Sequence, residues 1–271
     1  MKKPKGGKLG IKEERAATAG RTHPKKRLYR SRAHSNPLSD MRASDAPTTP
    51  ADVDWAALYP AYFSSDEAAQ GSSRARQPGE PTVRFVDVGC GFGGLLVRLS
   101  PLFPDTLILG MELRDKVALY VKERVLALRR EHAGQYGNVA CVRTNSQKYL
   151  PNFFRKGQLT KLFFLFPDPH FKVQNHRRRI ISPQLLAEYA YLLAPGGRVY
   201  TATDVPELGT WMAARLDEHV LFRRLSEEEV AGDVAGGMLT SATEEGMKVA
   251  RNEGQTFVAI YERIQPVEEA A

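Results

Sequence analysis

The chain has 271 residues, 42% of them hydrophobic, which is enough for one sizeable core or two small ones. No apolar run reaches the roughly 18 residues that cross a bilayer, and the N-terminal lysines have no apolar stretch behind them, so neither a membrane span nor a secretory signal is expected. The net charge of +8 is unevenly spread: residues 1–32 carry twelve Lys and Arg against Glu13 and Glu14 alone, so +10 belongs to this arm and −2 to everything after it.

A basic arm attracts phosphate polyanions through Coulomb attraction and counterion release; the plainer reading is a solvated tail without a partner. Residues 1–50 lack apolar periodicity, are rich in Lys, Arg, Ser, Thr and Pro, and are expected to be disordered when free. Pro24, Lys25, Lys26 and Arg27 have the form of a short nuclear-import signal. Arg30 and Arg32 precede Ser35 at the spacing that basophilic kinases read, which makes Ser35 a candidate phosphorylation site on a cationic arm.

Residues 51–63 hold a cluster of aromatics expected to dock on the domain C-terminal to them, and 64–81 read as a polar linker. From 82 to 265, strand-like and helix-like segments alternate. Strands are predicted over 83–88, 106–111, 138–143, 161–166, 198–203 and 256–261. Helices are predicted after the glycines at 89–94, then over 114–131, 182–193 and 206–219, and 266–271 form a short tail. Apolar strands alternating with helices indicate an α/β fold with a mostly parallel sheet covered on both faces. Cys90 and Cys141 sit in no CxxC or His-rich cluster, so neither structural zinc nor a disulfide is expected, and a reducing compartment is the natural setting.

Three places carry chemistry. In Val86-Asp87-Val88-Gly89-Cys90-Gly91-Phe92-Gly93-Gly94 a strand ends, glycines turn, and a helix begins. Such a turn lets backbone approach a ligand and points free N–H groups at it. Glu112 ends the next strand about 20 residues on, where a carboxylate accepts hydrogen bonds from ribose hydroxyls; a helix N-cap is the plainer role. Together they favour a ribose-bearing cofactor without separating NAD from S-adenosylmethionine. The third place, Phe166-Pro167-Asp168-Pro169-His170-Phe171-Lys172, closes the most apolar strand with a carboxylate between two prolines. Ligands bind beyond the C-terminal strand ends of such sheets, and prolines stiffen the loop. Lys172, His176, Arg177, Arg178 and Arg179 come next and read as a phosphate-contact region, or else as a solvated helix start.

The stretches 86–96, 100–114, 150–161, 163–172 and 241–246 closely resemble the eukaryotic tRNA (guanine-N7)-methyltransferase catalytic subunit. The resemblance spans nearly everything from 82 to 265, and Phe-Pro-Asp-Pro-His-Phe-Lys is its most specific element. It implies a Rossmann-like seven-stranded sheet with an antiparallel last strand, and S-adenosylmethionine as methyl donor. It implies that Gly89 lines the methionine side, that Gly91 also contacts the cofactor, that Glu112 holds the ribose, and that Arg114, Asn145, Ser146 and Leu165 complete the adenosine pocket. Thr243, Glu244 and Glu245 would close over the methionine end or the guanine, with Asp168 as the catalytic-site carboxylate. The implied substrate is the variable-loop guanosine of tRNA, position 46 in tRNA numbering. The implied partner is a non-catalytic WD-repeat β-propeller subunit forming a heterodimer, and the location is the nucleus, with the cytoplasm as a second site. An NAD-dependent oxidoreductase lacks support, since no Tyr-x-x-x-Lys pair is evident. An exocyclic-amine methyltransferase would show Asn/Asp-Pro-Pro-aromatic in place of Pro-Asp-Pro-His. A catalytically silent RNA-binding subunit is opposed by the intact Glu112 and Asp168.

Overall fold

A strand covered on both faces gives nearly every position to apolar side chains. β1 (Val83–Val88), β2 (Leu107–Glu112) and β4 (Leu159–Leu165) do so, and β2 is buried along its whole length. With β3 (Val139–Arg143), β5 (Leu193–Thr203), β6 (Phe222–Arg224) and β7 (Phe257–Arg263) they form one seven-stranded sheet in the order β3-β2-β1-β4-β5-β7-β6. The first five run parallel; β7 is antiparallel to both β5 and β6. The structure, a computed structural model, describes residues 23–29, 31, 46–63 and 81–265.

Helices cover both faces. On one side α2 (Gly94–Leu102) and α3 (Asp115–Glu131) bury Leu95, Leu96, Leu99, Ala118 and Val121 against Phe85, Ile108 and Phe163. On the other, α5 (Pro183–Leu192) and α6 (Pro206–Asp217) bury Leu186, Tyr189, Leu208 and Met212 against Val86, Leu109 and Phe164. Ser182 starts α5 by accepting from the Leu185 N–H, and prolines occupy the first turns of α5 and α6, where the missing donor is no loss. The short helices are α1 (Trp55–Leu58), α4 (Ser146–Tyr149), α7 (Glu227–Ala231) and α8 (Glu244–Arg251). The strand order reverses between β1 and β4, and there the C-terminal strand ends leave a crevice.

The aromatic segment packs on the sheet domain. Tyr59 is fully buried, its hydroxyl donating to the Ile108 carbonyl at 2.9 Å, and the Trp55 ring lies 6.3 Å from that of Phe154. Disorder was expected throughout 1–50, but residues 23–29 fold onto the domain. Lys26–Tyr29 make a 3-10 turn that buries Leu28 and Tyr29, the Tyr29 ring set edge-on to Tyr120 at 5.4 Å and its hydroxyl donating to Glu123. Leu28 and Tyr29 form the one adjacent pair of large apolar residues within 1–50, and their burial offsets the ordering of so short a turn. Ser35 lies outside the described residues, as do 1–22. β6, α7 and α8 were not foreseen.

Candidate active site

The crevice at the strand ends holds a cleft of about 630 Å³. Its floor is the turn after β1. Gly89, Gly91 and Gly93 all have positive φ, and the N–H groups of Gly89 and Cys90 donate to the Met111 carbonyl at 2.8 and 3.0 Å, tying the turn to β2. A β-carbon on Gly89 or Gly91 would meet no atom within 4 Å, so space is left for something to lie against this backbone.

Glu112 ends β2 beside that turn. It is buried, and its carboxylate accepts from the Gly91 N–H (3.0 Å), the Arg114 N–H (2.9 Å) and the Arg114 guanidinium (2.9 and 3.1 Å). Burial disfavours the Arg114 charge, and the bond to Glu112 more than offsets this. Arg114 caps α3 rather than beginning it. Asn145 and Ser146 stand where β3 gives way to α4, and Leu165 ends β4; all three line the cleft.

The loop after β4 is held in an uncommon shape. Phe166 (φ 52°) and His170 (φ 46°) both occupy the left-handed region and flank Pro167-Asp168-Pro169. The Phe166 N–H donates to the Ala202 carbonyl at 2.7 Å, and the Arg179 Nε donates to the Pro169 carbonyl at 2.9 Å. Asp168 faces the cleft between these anchors. Opposite, Thr243 caps α8 by accepting from the Gly246 N–H at 2.9 Å, and Glu244 and Glu245 form the first turn of that helix. Glu244 accepts from Lys26 at 2.6 Å.

Asp168 and all ten residues expected at the cofactor thus meet on one cleft. The basic group divides. Arg178 lines the cleft, Lys172 and Arg177 are exposed nearby, and His176 packs its ring 5.3 Å from Trp211. Arg179 departs from the expectation of a phosphate contact: its side chain is 2% exposed and committed to Pro169 and Glu207, so no outer face is left for RNA.

Two cleft residues escaped the sequence reading. Asp87 lies buried in β1 beneath the glycine turn; burial first, then the nearby Glu112 and Glu244 charges, push its pKa up to about 8. A lone acid inside an apolar strand was the available signal. Thr144, between β3 and α4, has a buried hydroxyl with no hydrogen-bond partner. Cys90 and Cys141 are free thiols 3.9 Å apart under the turn.

A mostly parallel sheet with a reversed strand order, a glycine turn facing open space and a carboxylate at the end of β2 define a Rossmann-like α/β fold with a candidate nucleotide-cofactor cleft. The family described as “Putative methyltransferase” matches residues 81–259, which places the chain among methyltransferases. A tRNA (guanine-N(7)-)-methyltransferase of Zea mays is 59% identical over 253 residues, 93% of this chain and 98% of that one. One from Oryza sativa subsp. japonica is 61% identical over 241 residues (89% and 92%), and one from Xenopus tropicalis 54% over 250 residues (90% of each). The chain belongs to the tRNA (guanine-N7)-methyltransferase family.

Proposed function

We propose that this chain transfers a methyl group from S-adenosylmethionine to N7 of a guanosine in the variable loop of tRNA, position 46 in tRNA numbering. The observation that carries the reading is the meeting of the glycine turn, Glu112 and Asp168 on one cleft. The relatives' names supply the base and the atom.

The cleft suits the cofactor. Open space over Gly89 and Gly91 is what a chain lying against backbone needs, and Glu112 is an acceptor-only group suited to ribose hydroxyls. The Thr144 hydroxyl is a buried donor in want of an acceptor. When bound, S-adenosylmethionine supplies an electrophilic methyl on a sulfonium. Guanine N7 carries a lone pair and no proton, so no residue need act as a general base. The work of the chain is to bind and orient, placing N7 in line at near-attack distance. Asp168 is the carboxylate that grips the donor edge of the guanine and stabilises the positive charge growing on the ring. Glu244 and Glu245 assist from the opposite wall. Lys172, Arg177 and Arg178, with the basic arm, supply the charge that a tRNA backbone requires.

The further reading is a heterodimer with a non-catalytic WD-repeat β-propeller subunit, working in the nucleus with the cytoplasm as a second site. It is supported by the sequence resemblance and, for location, by Pro24–Arg27. The test is a methyl-transfer assay on unmodified tRNA, with and without such a subunit, the product nucleosides being identified by mass spectrometry. 7-Methylguanosine in the variable loop supports the reading; its appearance only with the subunit supports the heterodimer. Tight cofactor binding with no product in either case turns the reading toward a silent RNA-binding subunit.

A further inference from the structure

We infer that Arg179 is a positioning residue that fixes the catalytic-site carboxylate of Asp168 by holding the carbonyl of Pro169. The inference rests on the role given to Asp168 above.

A buried guanidinium stays in place only where its charge and donors are engaged. Arg179 has a side chain 2% exposed; its Nη1 has no hydrogen-bond partner, and three engagements hold the rest of the guanidinium. Its Nη2 donates to Glu207 Oε1 at 2.7 Å, its Nε donates to the Pro169 carbonyl at 2.9 Å, and its guanidinium lies 4.8 Å from the centre of the Trp211 ring. Trp211 is itself fixed, its indole N–H donating to the Ile181 carbonyl at 2.9 Å, and the Arg179 backbone N–H donates to the His176 carbonyl at 2.9 Å. Glu207 and Trp211 belong to α6, which is buried through Leu208, Met212 and Leu216. The far end of the clamp is therefore anchored in the core.

The near end matters because of the loop it grips. Neither Pro167 nor Pro169 has an N–H, which takes two backbone donors out of the loop. Phe166 and His170 are both in the left-handed region, a conformation that persists only when surroundings impose it. The Phe166 N–H on Ala202 imposes it at the entry, and Arg179 on Pro169 imposes it at the exit, one residue beyond Asp168. The requirement is for arginine, since a planar fork serves Pro169 and Glu207 at once and a lysine ammonium in the same space reaches one of them.

The test compares Arg179→Lys, Glu207→Gln, Asp168→Asn and the double variant Arg179→Lys/Asp168→Asn in the methyl-transfer assay, on the full chain with and without the WD-repeat subunit. Positioning predicts that Arg179→Lys lowers kcat roughly ten-fold or more, since small misplacements are costly, with KM for tRNA and Kd for S-adenosylmethionine within about two-fold of wild type. Glu207 is 58% exposed, so Glu207→Gln folds even if Arg179→Lys does not, and it lowers kcat in the same direction by less. The double variant is no slower than Asp168→Asn alone, because the clamp has nothing left to position. Multiplicative losses in the double variant, an unchanged kcat in both Arg179→Lys and Glu207→Gln, or a loss confined to KM for tRNA overturn the inference while leaving Asp168 its role. Full activity in Asp168→Asn overturns the role of Asp168, and the inference with it.

Discussion

Lys26 Nζ lies 2.6 Å from Glu244 Oε1, although 218 residues separate them in sequence. A residue of the basic arm thus touches a carboxylate of the cleft, and Leu28 and Tyr29 hold it there by burial. The arm accordingly has two parts with different consequences.

Deleting residues 1–22 removes seven of the arm's twelve cations and spares Lys26, Leu28 and Tyr29. This truncation is expected to weaken tRNA binding and flatten its salt dependence, by roughly 0.7–0.9 in the log–log slope for each phosphate no longer neutralised, without changing Tm. Deleting 1–32 is expected to lower Tm as well, since buried side chains go with it. Binding isotherms across a salt series and thermal melts read both effects. Identical affinity and slope after either deletion would remove the arm from RNA binding.

Asp168→Ala is expected to reduce turnover roughly 10²–10³-fold, the usual cost of removing one group that stabilises developing charge. Cofactor affinity is expected to change little, because Glu112, Arg114, Asn145 and Ser146, the residues expected at the adenosine, lie elsewhere in the cleft. Single-turnover rates and calorimetric titration separate the two quantities, and an unchanged rate refutes the role.

Glu112→Gln takes away a charged acceptor that the Gly91 N–H and Arg114 share and that the proposed function assigns to the ribose. Charge-assisted hydrogen bonds contribute about 1.5–3 kcal/mol, so S-adenosylmethionine affinity is expected to fall roughly ten- to a hundred-fold. Equal affinity in wild type and variant would place the ribose somewhere else.

Asp87 has a folded-state pKa of about 8 against an ordinary 3.8. Between those values the folded chain keeps a proton that the unfolded chain has released, so stability falls as pH rises through this window and levels off above it. Asp87→Asn abolishes that slope. Urea midpoints at pH 5 and pH 8 should converge in the variant relative to wild type; parallel shifts would mean that Asp87 is ionised throughout.

Asp233 is buried and accepts from the Tyr200 hydroxyl at 2.6 Å, from the Ala235 and Gly236 N–H groups at 2.8 and 2.9 Å, and from Arg198 and Lys161. Burial raises its pKa, but the bonds from Tyr200, Gly236 and Arg198, with the Lys161 charge, outweigh it and hold it at about 2. Asp233→Ala strands two cations and a hydroxyl and is expected to cost roughly 3–5 kcal/mol in urea unfolding. A cost under about 1 kcal/mol would show that the cluster relaxes into water.

The strands of the parallel sheet were legible because burial on both faces writes an unbroken apolar run. β6 was not: its Phe-Arg-Arg is too short to show alternation and too charged to look buried. The residues that meet on the cleft were legible because glycines, a strand-ending acid and a proline-bracketed acid are each unusual where they stand. Arg179 was misread because His176-Arg177-Arg178-Arg179 looks uniform as text. The 3-10 turn over Val173–Arg178 ends just before Arg179, whose backbone is extended and whose side chain is buried, while Arg177 beside it is exposed. Asp87 was missed for the opposite reason, being a single acid among the apolar residues that close β1.

Gly94 opens α2, and a side chain there would collide with the Ala242 carbonyl. The start of α2 and the turn that delivers Thr243 and Glu244 are consequently pressed together backbone to backbone. The gauge of the cleft on this side is set first by main chain. Substitutions among its lining side chains can retune affinity while the spacing between its walls stays constant, whereas any residue larger than glycine at 94 would act as a shim and move the wall itself.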